Sequence, residues 1–267
     1  MKIILLYLYI LILFSIFSCS KKDKKNKVHS LEKNIEITIN QPISSPYPNQ
    51  VYKFSKMETL KYKLTSFQLF TSKFNQFLTT FSFVINFKKE DDKYKVYFTD
   101  FKLKNITYYG YADFKEIKRR YELTINSLYF YVKINKTGKK EFFTDRQISS
   151  NPNLMETAYF IYGIIEKLFP EFPVKGEIKY YKYIKDYDGN YQKTLKEKLT
   201  VKKIYYPKYL LLKGKNKKLT LRLLFNTQKG ITETLNYLII SKDNIKFNMK
   251  DYPYSLKNYF FIKKIPK

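Results

Sequence analysis

The sequence predicts a mainly β fold of the α+β class: a large curved antiparallel sheet or half-barrel with one central helix near residues 154–168. Three observations support this prediction. Apolar and polar residues alternate with period 2 over most of the chain after Val51, which is typical of half-buried strands. Phe and Tyr, which favour pleated surfaces, make up the whole of a 19% aromatic content. Short turn sequences separate the alternating stretches, so consecutive strands are expected to pair as hairpins.

The strands before the helix follow this alternation. Residues 80–99 form a predicted hairpin, because two alternating stretches flank the polar segment 88–93. A turn is expected at 136–139, where Gly138 lies among polar residues. Further strands are predicted, in chain order, at 101–106, 121–125 and 128–134.

The helix has its own start and stop signals. Asn153 is the expected N-cap, with Glu156 three residues on in a capping-box pattern. Pro170 and Pro173 are expected to close the segment, since proline does not continue a helix. We expect the apolar face to pack on the sheet rather than to bind a cofactor. That face consists of Leu154, Ala158, Ile161, Ile165 and Leu168.

The strand pattern returns after the helix and continues to Met249. An Asp-Gly pair within 186–190 predicts a tight turn, and Thr227 to Gly230 predicts another. The whole chain is then expected to hold roughly ten strands, about the number such a large sheet commonly has. The predicted strands of this half lie at 177–183, 195–201, 209–212, 219–225, 231–240 and 245–249.

The N-terminus begins with an apolar leader. The run from Ile3 to Phe17 is shorter than the roughly 20 residues that a membrane-spanning helix needs. A positive residue at the start, an apolar stretch of this length and a small residue near its end are typical of a secretory signal. An uncleaved N-terminal anchor and a buried leader are the alternatives.

The end of the leader carries the most specific pattern in the chain. Cys19, the single cysteine, has Ser18 directly before it and the branched Ile16 three residues before it. This segment resembles the signal peptide of bacterial lipoproteins. The resemblance implies cleavage before Cys19, acylation of that cysteine with palmitate-type chains, and attachment to the bilayer through them. Ser20, in place of the aspartate that favours inner-membrane retention, implies the outer membrane if the host is Gram-negative.

Three segments follow from this reading: a signal peptide at 1–18, a lipidated flexible tether at 19–50 and a single β-rich domain at 51–267. The tether is rich in Lys, Pro, Ser and Asn and lacks the apolar content that would offset its ordering entropy. A short strand is conceivable only at the alternating patch 35–39. The lysines beside the lipid either contact anionic headgroups or form a plain solvated linker.

The formal net charge of +28 has two interpretations. One is an anionic partner, such as an acidic polymer or a lipid surface. The other is codon bias, because Lys, Asn, Ile, Tyr and Phe share AT-rich codons and Trp is absent. No nucleic-acid partner is expected, since arginine, which binds phosphates and bases with two hydrogen bonds, is scarce.

The segment Phe172-Pro173-Val174-Lys175-Gly176-Glu177, with Tyr180 after it, resembles a motif of uncharacterised bacterial envelope lipoproteins. A broader resemblance is to the antiparallel half-barrels of periplasmic lipoprotein carriers. These resemblances imply a sheet wrapped around an apolar cavity and partly closed by helices, and they assign no catalytic residues.

The residue inventory argues against catalysis. The single histidine, His29, lies in the predicted tether, so neither a Ser-His-Asp nor a Cys-His arrangement is expected. Metal sites and cofactors are not predicted. The acidic clusters 90–92 and 186–188 are better explained as turns, although the second faintly resembles a calcium loop. A paired-carboxylate glycosidase has no positive support.

We therefore predict a non-enzymatic, membrane-anchored envelope lipoprotein and keep two functions open. In the first, the sheet binds or carries a lipid or other apolar ligand. In the second, a structural or surface-interaction lipoprotein binds anionic polymers or host molecules through its lysines. The apolar residues predicted to face a ligand or to fill the core are Phe81, Phe83, Phe98, Leu221, Leu223 and Phe225.

Overall fold

The computed structural model describes residues 51–54, 57–72, 76–104, 114–172, 174, 176–185, 191–247 and 250–266. Within these residues, eleven strands form one antiparallel sheet, which is curved but does not close into a barrel. Strands account for 60% of the structure, and the helices are short. The predicted mainly β fold with a large curved sheet is therefore confirmed. Cys19, the tether and the patch 35–39 lie outside the described residues.

The strands are long at the centre of the sheet and short toward one edge. Their order across the sheet is β5-β4-β3-β2-β1-β11-β10-β9-β8-β7-β6. In chain order they are β1 (Thr59–Ser72), β2 (Gln76–Glu90), β3 (Lys93–Lys104), β4 (Tyr129–Ile134), β5 (Lys140–Phe143), β6 (Glu177–Lys185), β7 (Tyr191–Tyr206), β8 (Tyr209–Lys215), β9 (Leu219–Asn226), β10 (Ile231–Phe247) and β11 (Lys250–Lys264).

The first and the last strand lie side by side in the middle of this sheet. The chain runs from β1 outward to the edge strand β5, crosses to the opposite edge at β6, and returns strand by strand to β11. There β11 pairs with β1, with Leu64 opposite Ile262. The crossing segment holds the helices α2 (Arg146–Ser149) and α3 (Pro152–Leu168), while α1 (Phe114–Ser127) lies between β3 and β4.

The core lies between the concave face of the sheet and α3. Leu64, Ile85 and Ile262 alternate with outward-facing residues along their strands and are fully buried. Ala158 and Ile161 of α3 are also fully buried and belong to the same cluster. Burial of each large apolar side chain contributes about 1.5–3 kcal/mol, so α3 is held mainly by packing. The apolar face predicted for this helix packs on the sheet as expected.

The helix α3 begins earlier than predicted. Its N-cap is Asn151, whose side chain accepts hydrogen bonds from the backbone N–H groups of Asn153 (3.1 Å) and Leu154 (3.3 Å). The prediction of Asn153 as the cap was wrong because Pro152 suits the first helical position, where its missing N–H is not needed. The end of the helix at Leu168, before Pro170, agrees with the prediction.

The strand predicted at 121–125 is wrong, since this segment belongs to α1. Only three alternating residues supported the strand, and Tyr121, Ile125 and Leu128 also recur at helical spacing. In the helix, Ile125 enters the core and the ring of Tyr121 stacks 6.4 Å from that of Phe101. Leu123, which a strand would have buried, is 52% exposed.

Four strands differ from the predicted set. β3 continues to Lys104, where a separate strand was predicted at 101–106. β5 was not predicted, because four residues are too few to show a period. β10 runs continuously where two strands were predicted, at 231–240 and 245–249. β11 was not recognised, because the run 259–262 is apolar on both faces of the strand and hides the alternation. The Asp-Gly turn at 186–190, Pro173 and Lys175 lie outside the described residues.

One end of the half-barrel is closed by aromatic rings. Tyr52 is at the centre of this plug, with ring centroids 5.2 Å from Phe172 and 5.3 Å from Phe225. Its hydroxyl donates a hydrogen bond to the carbonyl of Pro170 at 3.0 Å. Phe54 and Phe169 pack edge to face at 5.1 Å beside it. The residues before β1 therefore anchor the chain to the segment that follows α3.

The predicted turn at Gly138 is confirmed, and it needs glycine for two reasons. Its φ of +88° lies in the left-handed region that side chains disfavour. A Cβ added there would lie 2.6 Å from the carbonyl oxygen of Pro170 and 2.7 Å from the ring of Tyr52. The turn between β4 and β5 thus fits directly against the aromatic plug.

Candidate functional site

The six apolar residues predicted to face a ligand or fill the core lie on the concave face. Five of them, Phe83, Phe98, Leu221, Leu223 and Phe225, are between 0% and 4% exposed and belong to the packed core. Phe81 is half-buried and packs against the edge of this core.

These residues form two groups on opposite sides of the sheet centre. Phe83 contacts Phe98 edge to face at 5.7 Å and stacks with Phe81 at 6.2 Å. Leu221, Leu223 and Phe225 follow one another along β9 on the other side, where Phe225 joins the aromatic plug. The packed part of the concave face is therefore filled by side chains. A ligand could bind only to a part of this face that lies outside the packed core.

The concave face continues past the part that α3 covers. Gln68 of β1 pairs with Thr79 of β2 and with Asn258 of β11, and Asn258 pairs with Ile239 of β10. All four residues are half-buried, in contrast to the buried rows nearer the plug. α3 borders this row with Phe160, which is 45% exposed. We call this region the concave cleft; it consists of Gln68, Phe81, Phe160, Ile239 and Asn258.

The floor of the concave cleft combines aromatic rings with a positive charge. Tyr237 and Phe260 stack with centroids 4.5 Å apart, and the ring of Phe160 lies 6.1 Å from that of Phe260. The ammonium group of Lys167 lies 5.4 Å from the Tyr237 ring centroid and donates a hydrogen bond to the carbonyl of Gly163 at 2.8 Å. An apolar surface with an adjoining cation suits an amphiphile with a polar or anionic head.

Two polar atoms next to this floor have no hydrogen-bond partner within the described residues. They are Oγ of Ser66, a fully buried residue paired with Phe81 and Phe260, and Oδ1 of Asn258. A buried polar atom without a partner costs about 1–3 kcal/mol. Such atoms in an otherwise apolar surface indicate a place where a ligand hydroxyl or a water molecule supplies the missing hydrogen bond.

A second recess lies near the plugged end and is basic. It has a volume of about 600 Å³, and its lining includes Lys53, Lys61, Lys229 and Lys264. Lys53 donates a hydrogen bond to the carbonyl of Gln228 at 2.9 Å, and Lys229 lies 3.6 Å from the carboxylate of Glu233. Four lysines around one open recess suit an anionic group on a polymer or small molecule.

The buried tyrosines bind the helix to the sheet. Tyr62 donates to the carbonyl of Thr232 at 2.8 Å, and the Thr232 hydroxyl donates to the carbonyl of Leu168 at 2.6 Å. Burial raises the pKa of Tyr62 well above its ordinary value of 10, and the charge of Glu233 adds to the rise. Burial likewise raises the pKa of Tyr52. These phenols stay protonated at neutral pH and act as hydrogen-bond donors.

The described residues contain neither a metal-binding cluster nor a membrane-spanning helix. No three His, Cys, Asp or Glu side chains come together there in an arrangement that holds a metal ion. Among the same residues, no helix has the length and apolar character needed to cross a bilayer.

Sequence reasoning missed Ser66, Phe160, Lys167 and Asn258 of the cleft. The available signal was a polar residue that interrupts an inward row of apolar ones, as Ser66 does after Tyr62 and Leu64. To use that signal, one must know which strands are neighbours in the sheet. β11, which contributes Asn258 and Phe260 beside β1, was not recognised from the sequence. Phe160 was hidden because it lies outside the apolar stripe of α3.

Comparison with known proteins gives a likeness at the level of structure. No family model matches the chain, and no curated protein matches it in sequence. A solved structure described as "lipid-protein interactions in lipovitellin" is similar with a TM-score of 0.50 and 10% sequence identity over 78% of this chain. The chain spans only about a quarter (25%) of that lipovitellin chain. At this identity the likeness concerns the fold alone.

Proposed function

We propose that this protein is a lipid-anchored bacterial envelope lipoprotein without enzymatic activity, whose β domain binds an apolar ligand with a polar or anionic head. The concave cleft is the observation that carries the ligand-binding part. It joins the exposed ring of Phe160 and the half-buried side chains of Phe81 and Ile239 with a cation and two polar atoms without partners on one face of the sheet. The described lipid–protein interactions of lipovitellin, a protein of similar fold, support an apolar ligand.

The anchoring part of the proposal rests on the leader and Cys19. Acyl chains on this cysteine, of the palmitate type, would insert into one leaflet and contribute about 0.8 kcal/mol for each buried methylene. Two or more chains make such attachment stable. The residues between Cys19 and Val51 then link the β domain to the lipid anchor. Ser20 favours the outer membrane in a Gram-negative host.

In the proposed complex, Phe81, Phe160 and Ile239 contact the apolar part of the ligand. Ser66 and Asn258 offer hydrogen bonds to a hydroxyl group, and Lys167 attracts a negative charge on the head. The packed core beneath remains unchanged, because its residues already fill the space around α3. The ligand therefore occupies the open end of the half-barrel rather than its centre.

Native mass spectrometry of the protein purified from a bacterial envelope tests ligand binding. We expect a retained lipid on the native protein and its loss in Phe160→Asp, because a carboxylate would enter the cleft. Leu123→Asp is the matched control, since Leu123 is also exposed on a helix and lies outside the cleft. Equal lipid retention by both variants would contradict the assignment of the cleft.

The basic recess favours a second function, the binding of an anionic polymer. Charge reversal in Lys61→Glu with Lys264→Glu is expected to weaken binding to a polyanion such as heparin and to reduce its dependence on salt. Lys136→Glu with Lys139→Glu carries the same charge change at an exposed turn outside the recess lining. If both pairs weaken binding equally, the recess has no special role.

A further inference from the structure

The convex face of the sheet carries a strip of large apolar side chains. Phe67 of β1 pairs with Tyr259 of β11, which pairs with Leu238 of β10. One row further along, Leu69 and Ile240 lie on either side of Lys257. Phe261, the next outward residue of β11, extends the set. We call these residues the outer strip; it consists of Phe67, Leu69, Leu238, Ile240, Tyr259 and Phe261.

The outer strip does not contribute to the core. All six residues are half-buried, and none of them belongs to the core cluster or packs against it. The three helices bury Ile125, Ile148 and Ile161 on the opposite, concave side. Within the described residues, the strip is therefore an apolar surface on the outside of the three central strands. A contiguous apolar patch of this kind marks an interaction surface.

Lysines surround the strip on the same face. Lys63 and Lys263 are directly opposite each other on β1 and β11. On β11 the next outward residue after Lys263 is Phe261, and on β1 Thr65 lies between Lys63 and Phe67. Lys257 lies between Leu69 and Ile240, and Lys242 is the next outward residue of β10. No Asp or Glu occupies an outward position of β1 from 61 to 71, of β10 from 234 to 242 or of β11 from 255 to 263.

The pairing of Lys63 with Lys263 is unfavourable in water, since like charges opposite each other destabilise a sheet. A negatively charged surface would relieve this repulsion while the apolar side chains leave water. We propose that the outer strip is a docking surface for an anionic lipid bilayer, separate from the attachment at Cys19. The charge pattern favours a bilayer. Its anionic headgroups would contact the lysines, and the apolar residues would insert at the boundary between the headgroups and the acyl chains.

A fluorescent label at the strip tests this docking. The full chain with Cys19→Ser and Tyr259→Cys has one thiol, which takes an environment-sensitive fluorophore. We expect a blue shift of its emission with vesicles of phosphatidylcholine and phosphatidylglycerol, and none with phosphatidylcholine alone. The same label at Leu123→Cys, in the Cys19→Ser chain, is the control, because Leu123 is exposed on α1. A shift of equal size at both positions would overturn the proposal.

Charge reversal provides an independent measurement. Lys63→Glu with Lys263→Glu should abolish the shift at position 259, whereas Lys136→Glu with Lys139→Glu should leave it. Thermal melting by circular dichroism checks that the folds are equally stable. Equal effects of the two charge reversals would show diffuse attraction and overturn docking through the strip. A concentration-dependent shift without vesicles, showing that a second copy covers the strip, would overturn it as well.

Discussion

Lys140 places a positive charge inside the protein. Its ammonium group donates hydrogen bonds to the carbonyl groups of Gly138 and Phe169, both at 2.6 Å, and lies 3.1 Å from a carboxylate oxygen of Glu166. The side chains of Lys140 and Glu166 are 1% and 5% exposed. An ammonium group has three donors, and here all three have acceptors. This residue thus fastens the end of α3 to the edge strand β5.

Lys140→Met should lower the free energy of unfolding by about 3–5 kcal/mol, because Glu166 then stays buried without the cation beside it. Chemical denaturation measures the change. Lys133→Met is the matched control: Lys133 pairs with Asp92 at the surface, where such pairs contribute about 0–1 kcal/mol. Similar decreases in the free energy of unfolding in the two variants would show that the buried pair stabilises the fold no more than the surface pair does.

Tyr94 makes stability depend on pH in the alkaline range. Its hydroxyl lies 2.6 Å from the carbonyl oxygen of Phe54 and 2.7 Å from that of Met57. Burial raises the pKa of Tyr94 from 10.0 to about 12, and the charge of Glu58 adds to the rise. The folded protein therefore holds this proton more tightly than the unfolded chain does.

The stabilisation by the protonated phenol is complete below about pH 10 and is lost as the pH rises from 10 toward about 12. Tyr94→Phe should be less stable at neutral pH, because the hydrogen bond that the hydroxyl donates to these carbonyls is gone. Its stability should also fall less steeply in that window. Denaturation curves measured across the window compare the two slopes. Identical slopes would mean that Tyr94 does not titrate differently in the folded state.

At the scale of elements, α3 depends on its cap. Asn151→Ala should cost about 1 kcal/mol of stability, because two N–H groups at the start of the helix lose their acceptor. Asn153→Ala is the natural control, since Asn153 is exposed and lies one residue inside the first turn. Thermal melting compares the two variants. If Asn153→Ala were the more damaging change, the assignment of Asn151 as the cap would be wrong.

The elements differ in how far the sequence predicts them. β9 and α3 were predicted well, because each shows one period over enough residues and buries one face. α1 was mistaken for a strand because its short apolar pattern fits both periods. β11 was missed because its outward residues Tyr259 and Phe261 are also apolar, so the run 259–262 shows no alternation. Large apolar residues on the outer face of a strand obscure the pattern by which a strand is recognised.

The candidate site was less predictable than the fold. The six residues chosen for their clean alternation proved, with the exception of half-buried Phe81, to be core, because regular burial produces the regular pattern. The cleft is marked instead by departures from regularity, such as Ser66 and Asn258. Recognising these as neighbours requires the register between β1 and β11, which joins residues almost 200 positions apart.

For the whole molecule, the property to measure is the proposed attachment to the membrane through Cys19. Cys19→Ser should abolish incorporation of labelled palmitate and release the protein from the membrane fraction of the envelope. Ser20→Ala, which keeps the cysteine, should retain both properties. Incorporation of the label into the Cys19→Ser protein would contradict lipidation at this residue.

The central pairing of β1 with β11 has a consequence for biogenesis. The two halves of the sheet are joined only where the first strand meets the last, since β5 and β6 are edges. During synthesis or export, β1 therefore cannot pair with β11 until the C-terminal residues have emerged. Pairing between strands so far apart in the sequence is expected to be slow. A chain interrupted before β11 would expose β1 and β10 as two long unpaired edges, each a template for aggregation. Pairing of the fifteen-residue strand β11 thus completes the sheet, and a nascent chain without it is expected to aggregate through its unpaired strands.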